Sequence, residues 1–220
     1  MGRFLLVMAL ATGLAAEEVL PAVVERIRWA AAPITETAVF VGGRRMAADD
    51  WGGVKDPVQI GLSLNVRAWR PPVEAVLAYY QAQGGADRSA DDADGSFAVS
   101  SRVQSDLLLQ EVAPGAQVAW EVWRLRGTLG GGPAFVRSEV NTRVTHSLGW
   151  QIQHPGEPAE ETSVRGGSGI GTWGALGATM GFGHSSLGVQ LRHTWVRLPL
   201  GDRTVDAGGL QAGALVVFRW

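Results

Sequence analysis

Side chains able to do chemistry are few and scattered along this chain. Its 220 residues include four histidines, at 146, 154, 184 and 193, and no cysteine. Without cysteine there is no thiol nucleophile, no disulfide and no Cys-based zinc site. His184-Ser185-Ser186 sets a base beside two hydroxyls, a pairing that acyl transfer can use. The same three residues fit a tight turn between apolar segments, where polar side chains are ordinary, and we read them so. His146 and His154 share a polar stretch with Glu157, Glu160 and Glu161, but nothing resembles the His-Glu-x-x-His spacing of a metal site. Gly169 to Gly174 fits G-x-G-x-x-G, yet it lacks the preceding strand and following helix that a dinucleotide site needs. Asp91, Asp92 and Asp94, with Asp87 nearby, offer oxygen ligands without the spacing or closing Glu of a calcium loop. We therefore expect no catalytic residue, no cofactor and no metal.

The elements that carry these residues follow from composition and period. Lys and Arg number 19 against 21 Asp and Glu, a net charge of -2, which argues against a nucleic-acid-binding domain, since such domains usually carry a basic patch. The 30 glycines are spread through apolar segments and not gathered in linkers. Glycine breaks helices and marks bends or close backbone approach in strands, so the chain leans towards all-β.

Met1-Gly2-Arg3, an apolar run from Phe4 to Leu14 and the small Ala15-Ala16 have the order of a secretory signal. We expect a signal peptide over 1–16, an N-terminal segment on the periplasmic side over 17–36, and a β domain over 37–220. Val58, Ile60, Leu62, Leu64, Val66 and Ala68 alternate with Gln59, Gly61, Ser63, Asn65 and Arg67. Strict period two is the mark of a strand. The end of the chain repeats it, with Leu210, Ala212, Ala214, Val216, Phe218 and Trp220 on one face and Gln211, Gly213 and Arg219 on the other. Leu187, Val189, Leu191 and Trp195 alternate with Gly188, Gln190, Arg192 and Thr194. Similar patterns over 37–46, 73–81, 112–120, 127–136 and 171–183 complete an expected set of eight strands.

A soluble barrel or sandwich would turn the apolar faces inward, and a membrane barrel would turn them to lipid. Link lengths separate the two. Short links at Arg70 to Pro72, Trp120 to Trp123 and His184 to Ser186 alternate with long polar ones near 47–56, 84–96, 138–168 and 199–207. That alternation is the habit of an up-and-down transmembrane barrel with short periplasmic turns and long outer loops. Trp69, Trp120, Trp123, Phe182 and Trp220 fall on the short-turn side, as an interfacial aromatic girdle would.

The closing segment Ala207 to Trp220, the glycine-rich Arg126 to Phe135, and Phe40-Val41-Gly42-Gly43 followed by Asp49-Asp50-Trp51 resemble the small outer-membrane β-barrel proteins of Gram-negative bacteria. The resemblance covers about 37–220. It implies residence in an outer membrane, with its lipids and lipopolysaccharide as surroundings. It also implies biogenesis through the barrel-assembly machinery, which would read Phe218 and Trp220. Members of that group are structural, adhesive, channel-forming or enzymatic, so no ligand is implied.

Eight strands leave an interior that side chains fill. The polar faces place Asn65, Arg67, Glu74, Glu111, Gln117, Arg126, Gln190, Arg192, Gln211 and Arg219 there. Buried charges need partners, so we expect one internal network joining these arginines to Glu74 and Glu111. The expected role is structural, or surface interaction through 138–168, without catalysis. Alternatives are a narrow channel for ions or small solutes, an outer-leaflet lipid-modifying enzyme, and a soluble exported ligand-binding barrel.

Overall fold

The computed structural model describes residues 34–47, 50–51, 53–66, 72–94, 97–150, 159–201 and 203–219. The chain forms β1 (Ile34–Arg45), β2 (Val58–Val66), β3 (Val73–Asp94), β4 (Phe97–Val122), β5 (Leu125–Trp150), β6 (Ala159–Phe182), β7 (Ser185–Trp195), β8 (Arg197–Leu200), β9 (Arg203–Asp206) and β10 (Gly209–Arg219). Eight of these close a ring in the order β1-β10-β7-β6-β5-β4-β3-β2, and β8 with β9 forms a separate hairpin. Each ring strand pairs antiparallel with its chain neighbour, and β1 meets β10 from Glu36↔Arg219 to Arg45↔Leu210. The fold expected from period two is therefore the one observed, an eight-stranded antiparallel up-and-down barrel.

Its polarity is inside-out. Val58, Ile60, Leu129, Leu176, Val189 and Leu191 point outward and are all more than half exposed, while Gln59, Gln211, Glu111, Arg44 and Arg192 are buried. Contiguous exposed apolar surface on this scale is unfavourable in water. In hydrocarbon it is the favoured surface, and closing the ring removes the open sheet edges that lipid could not satisfy. The barrel is transmembrane.

Two expectations need correction. The barrel begins at Ile34 and not at Thr37, so Glu36, assigned to the preceding segment, lies within β1 and is buried. The stretches 84–96 and 138–168, expected as long loops, are mostly strand. β3 pairs with β4 out to Asp94↔Phe97, β4 with β5 out to Phe97↔Trp150, and β5 with β6 out to His146↔Ala159. Over 87–90, 142–146 and 159–166 neither face is buried, so no apolar–polar alternation is required there, and period two fades from the sequence while the ladder continues.

β2 pairs with β3 only as far as Val58↔Gln83, and β7 with β6 only as far as Thr172↔Trp195. Beyond those points β3 to β6 run on as a four-stranded sheet. At its base the lumen side is closed by apolar side chains. Trp51 and Val54 from the β1–β2 link and Leu198, Leu200 and Val205 from the β8–β9 hairpin are buried with Leu107, Leu109, Val136 and Val140 of the sheet. Trp51 Nε1 donates to the Asp206 carbonyl at 2.8 Å, tying link to hairpin. The hairpin lies across β6 because Gly167, Gly169 and Gly171 leave it room: a Cβ at any of them would collide with the backbone of Pro199, Arg197 or Trp195. These glycines, two of which belong to the G-x-G-x-x-G match, thus serve close backbone approach.

Candidate functional site

The polar residues of the lumen fall into two clusters, not the single network expected. At the short-turn end Arg126 Nη2 donates to both Glu74 oxygens at 2.7 Å. It also lies 3.4 Å from Glu36. Gln117 donates to Glu74 at 2.9 Å, and Asn65 donates to Glu36 at 3.1 Å. Arg219 reaches Glu121 at 3.2 Å at the rim. A cleft of about 370 Å³ opens there between Glu121, Trp123, Arg124, Phe182 and Arg219.

The second cluster is centred on Glu111, at 0% exposure. Arg44 Nη1 donates to it at 2.8 Å, Arg192 Nη2 donates to its other oxygen, and the Thr194 hydroxyl donates at 3.1 Å. Arg44 also donates to the Ala207 carbonyl at 2.5 Å. The Arg192 guanidinium sits between the rings of Tyr80 and Trp173, at 4.5 and 4.3 Å from their centroids. A desolvated cation over an aromatic face is attracted to its quadrupole, so the two rings replace the second carboxylate that Arg192 lacks. Gln211 links Thr194 to Gln59, with contacts of 3.0 Å each, and Tyr80 donates to Gln190 at 3.2 Å.

Between the clusters the inward positions are apolar or small. They are Ala38 and Phe40 on β1, Val76 and Ala78 on β3, Ala113 on β4, and Leu215 and Val217 on β10, all buried. Phe40 meets Tyr80 edge to face at 5.7 Å.

Of the residues expected in the lumen, Asn65, Glu74, Gln117, Arg126 and Arg219 are brought together in the first cluster, and Glu111, Gln190, Arg192 and Gln211 in the second. Arg67 lies outside the described residues, as do Trp69 and Trp220 of the expected girdle and assembly signal. Trp120, Trp123 and Phe182 are exposed at the short-turn end, and Phe218 is exposed near the end of β10. Trp120 covers Gly127, its cross-strand partner. His193 faces outward against Trp195, with ring centroids 4.4 Å apart. The expected lumen set lacks Arg44, Glu36, Tyr80 and Trp173, and also Gln59 and Thr194, which period two already sets on the polar faces of their strands. Arg44 was hidden because both faces of β1 are apolar around it, with Val39 and Val41 outward and Ala38 and Phe40 inward. Only the alternation of Glu36 with Arg44 on even positions could have placed it.

The sheet beyond the barrel carries a different chemistry. Arg102 donates to both oxygens of Asp87, and these hydrogen bonds hold that carboxyl below the usual carboxylate range. Arg143 and Glu160 pair at 2.7 Å. The expected recognition stretch is split by the structure: Ser138–Trp150 belongs to β5 and Ala159–Ser168 to β6, while Glu157 and Pro158 lie outside the described residues.

No family model and no curated protein matches this chain. Solved structures similar in strand arrangement include Neisserial surface protein A, at 11% identity and TM-score 0.48 over 84% of this chain and 96% of that one. Ail, the attachment invasion locus protein of Yersinia pestis, solved with the heparin analogue sucrose octasulfate, is similar at 14% identity and TM-score 0.40 over 84% and 100%. The outer membrane protease OmpT of Escherichia coli is similar at 11% identity and TM-score 0.40 over 86% and 98%. With these three scores below 0.5, the architecture stands on the chain's own ring of strand pairings, which makes it an eight-stranded transmembrane barrel.

Proposed function

We propose that this chain is an integral protein of a bacterial outer membrane whose work is done outside the bilayer, by surface interaction and not by catalysis. The observation that supports this is the four-stranded sheet of β3 to β6. Its outer strands have no pairing partner among the described residues beyond Gln83 on β3 and Thr172 on β6. A sheet edge in water is a template for another extended chain. A barrel used only as a wall needs no such extension. In this orientation the short turns face the periplasm. The barrel-assembly machinery and the lipids, lipopolysaccharide included, are its expected biogenesis and membrane partners, and neither nucleic acid nor a cofactor enters this reading.

The experiment is to shorten both hairpins, joining β3 to β4 at Gly85 and Asp106 and β5 to β6 at Glu139 and Gly166, each through a two-residue turn. The shortened protein should still show the heat-dependent gel shift of a folded barrel. Cells bearing the wild-type protein should attach or aggregate, and cells bearing the shortened one should not. Equal attachment with and without the hairpins would remove this reading.

A narrow channel is the second reading, favoured by the polar clusters in the lumen. The apolar layer at Phe40, Ala78 and Leu215 and the cap around Trp51 stand across that path. In planar bilayers the wild-type protein should give no resolvable single-channel steps. Regular steps at neutral pH would favour the channel.

A further inference from the structure

We propose that the open edge of β6 pairs with the same edge of a second copy held in a facing membrane. This rests on the surface-interaction reading and names its partner. The edge runs from Ala159 to about Gly167, where the β8–β9 hairpin begins to lie across the strand. It holds no proline and no lysine, two of the devices that blunt natural edges. The β3 edge differs in sequence: Asp91, Asp92 and Asp94 give its far end an excess of one sign, and like charges oppose pairing.

Self-complementarity picks the register. Two β6 edges aligned antiparallel about Ser163 set Thr162 of each copy opposite Val164 of the other, and Glu161 opposite Arg165, twice by symmetry. Residues 161, 163 and 165 share one face of the strand, so both ion pairs form on that face. Glu161 and Arg165 are exposed and make no ion pair among the described residues, whereas Glu160 is already engaged by Arg143. Opposite charges directly across a strand pair favour it, and like charges oppose it. All copies in one membrane send β6 in the same direction, so antiparallel pairing requires copies in two membranes. From Thr172 to Ser163 the strand reaches about 30 Å at roughly 3.3 Å per residue, which sets a membrane gap of about 60 Å or less. One such contact is weak, and many across two apposed surfaces add by avidity.

The test uses the full chain in phosphatidylcholine vesicles free of lipopolysaccharide, read by light scattering and by the gap in cryo-electron micrographs. Wild-type vesicles should tether. Vesicles bearing only Glu161→Arg, or only Arg165→Glu, should scatter like protein-free ones, with the heat-dependent gel shift verifying that both variants are folded. Mixing those two populations should restore tethering, because each then offers the charge the other lacks, and the double variant E161R/R165E should tether with itself. Untethered wild-type vesicles, or single variants that tether as well as wild type, would overturn the pairing. If the pairing is overturned while hairpin shortening still abolishes attachment of cells, the surface role stands and its partner is another molecule. If both fail, both fall.

Discussion

Replacing Glu111 by Leu should destabilise the barrel by about 3–5 kcal/mol, the usual cost of breaking a buried ion pair by removing one partner. Among the described residues Glu111 is the one carboxylate at ion-pair distance from Arg44 and Arg192, and all three side chains are buried to 1% exposure or less. Its loss leaves two guanidiniums in the lumen with one carbonyl and two aromatic rings for company. The measurement is the urea or guanidinium midpoint of the protein in bilayers, followed by tryptophan fluorescence. Glu111→Gln keeps hydrogen-bond acceptors and should lie between wild type and Glu111→Leu. The triple exchange Arg44→Met, Glu111→Leu, Arg192→Met removes every charge together and should cost less than Glu111→Leu alone, since no orphaned ion remains. A triple variant less stable than the single one would show that packing, and not charge pairing, sets the energy of this layer.

Trp51→Ala should open the cap without opening the barrel. Trp51 is fully buried, and truncating a buried Trp costs about 3–5 kcal/mol. The side chain also supplies the hydrogen bond to the Asp206 carbonyl that holds the β1–β2 link to the β8–β9 hairpin. Neither segment belongs to the ring, so the loss should fall on them. Amide exchange across 197–206 should quicken at least tenfold while 210–218 stays protected. Equal exchange at both would place Trp51 within the cooperative unit of the barrel.

The sequence made the wall legible and the extension illegible for one physical reason. Where a strand separates lipid from lumen, its two faces must differ, and Val58 to Val66 or Leu187 to Trp195 show the difference residue by residue. Where both faces are wet, as over Asp87 to Ala90 or Thr142 to His146, the ladder places no demand on composition, and strand reads as loop. β1 failed in the opposite way, with apolar side chains on both faces concealing Arg44. The carboxylates at 74 and 111 were placed by parity. Their division into two clusters was not, because it depends on which residues of β1 and β10 face them across the ring, and register between the chain's two ends is not written in either end alone.

The seam between β1 and β10 has a consequence for how the molecule tolerates incompleteness. A chain stopped before β10 would leave raw ladder groups of β1 and β7 in hydrocarbon, where each unmet amide or carbonyl costs several kcal/mol. Within the bilayer, closure is therefore all or nothing. Farther out the same chain leaves β3 and β6 unfinished at no such penalty, since water satisfies the groups along their borders. The molecule is obliged to be complete where it is greasy and free to be unfinished where it is wet, and only an unfinished border can be completed by somebody else.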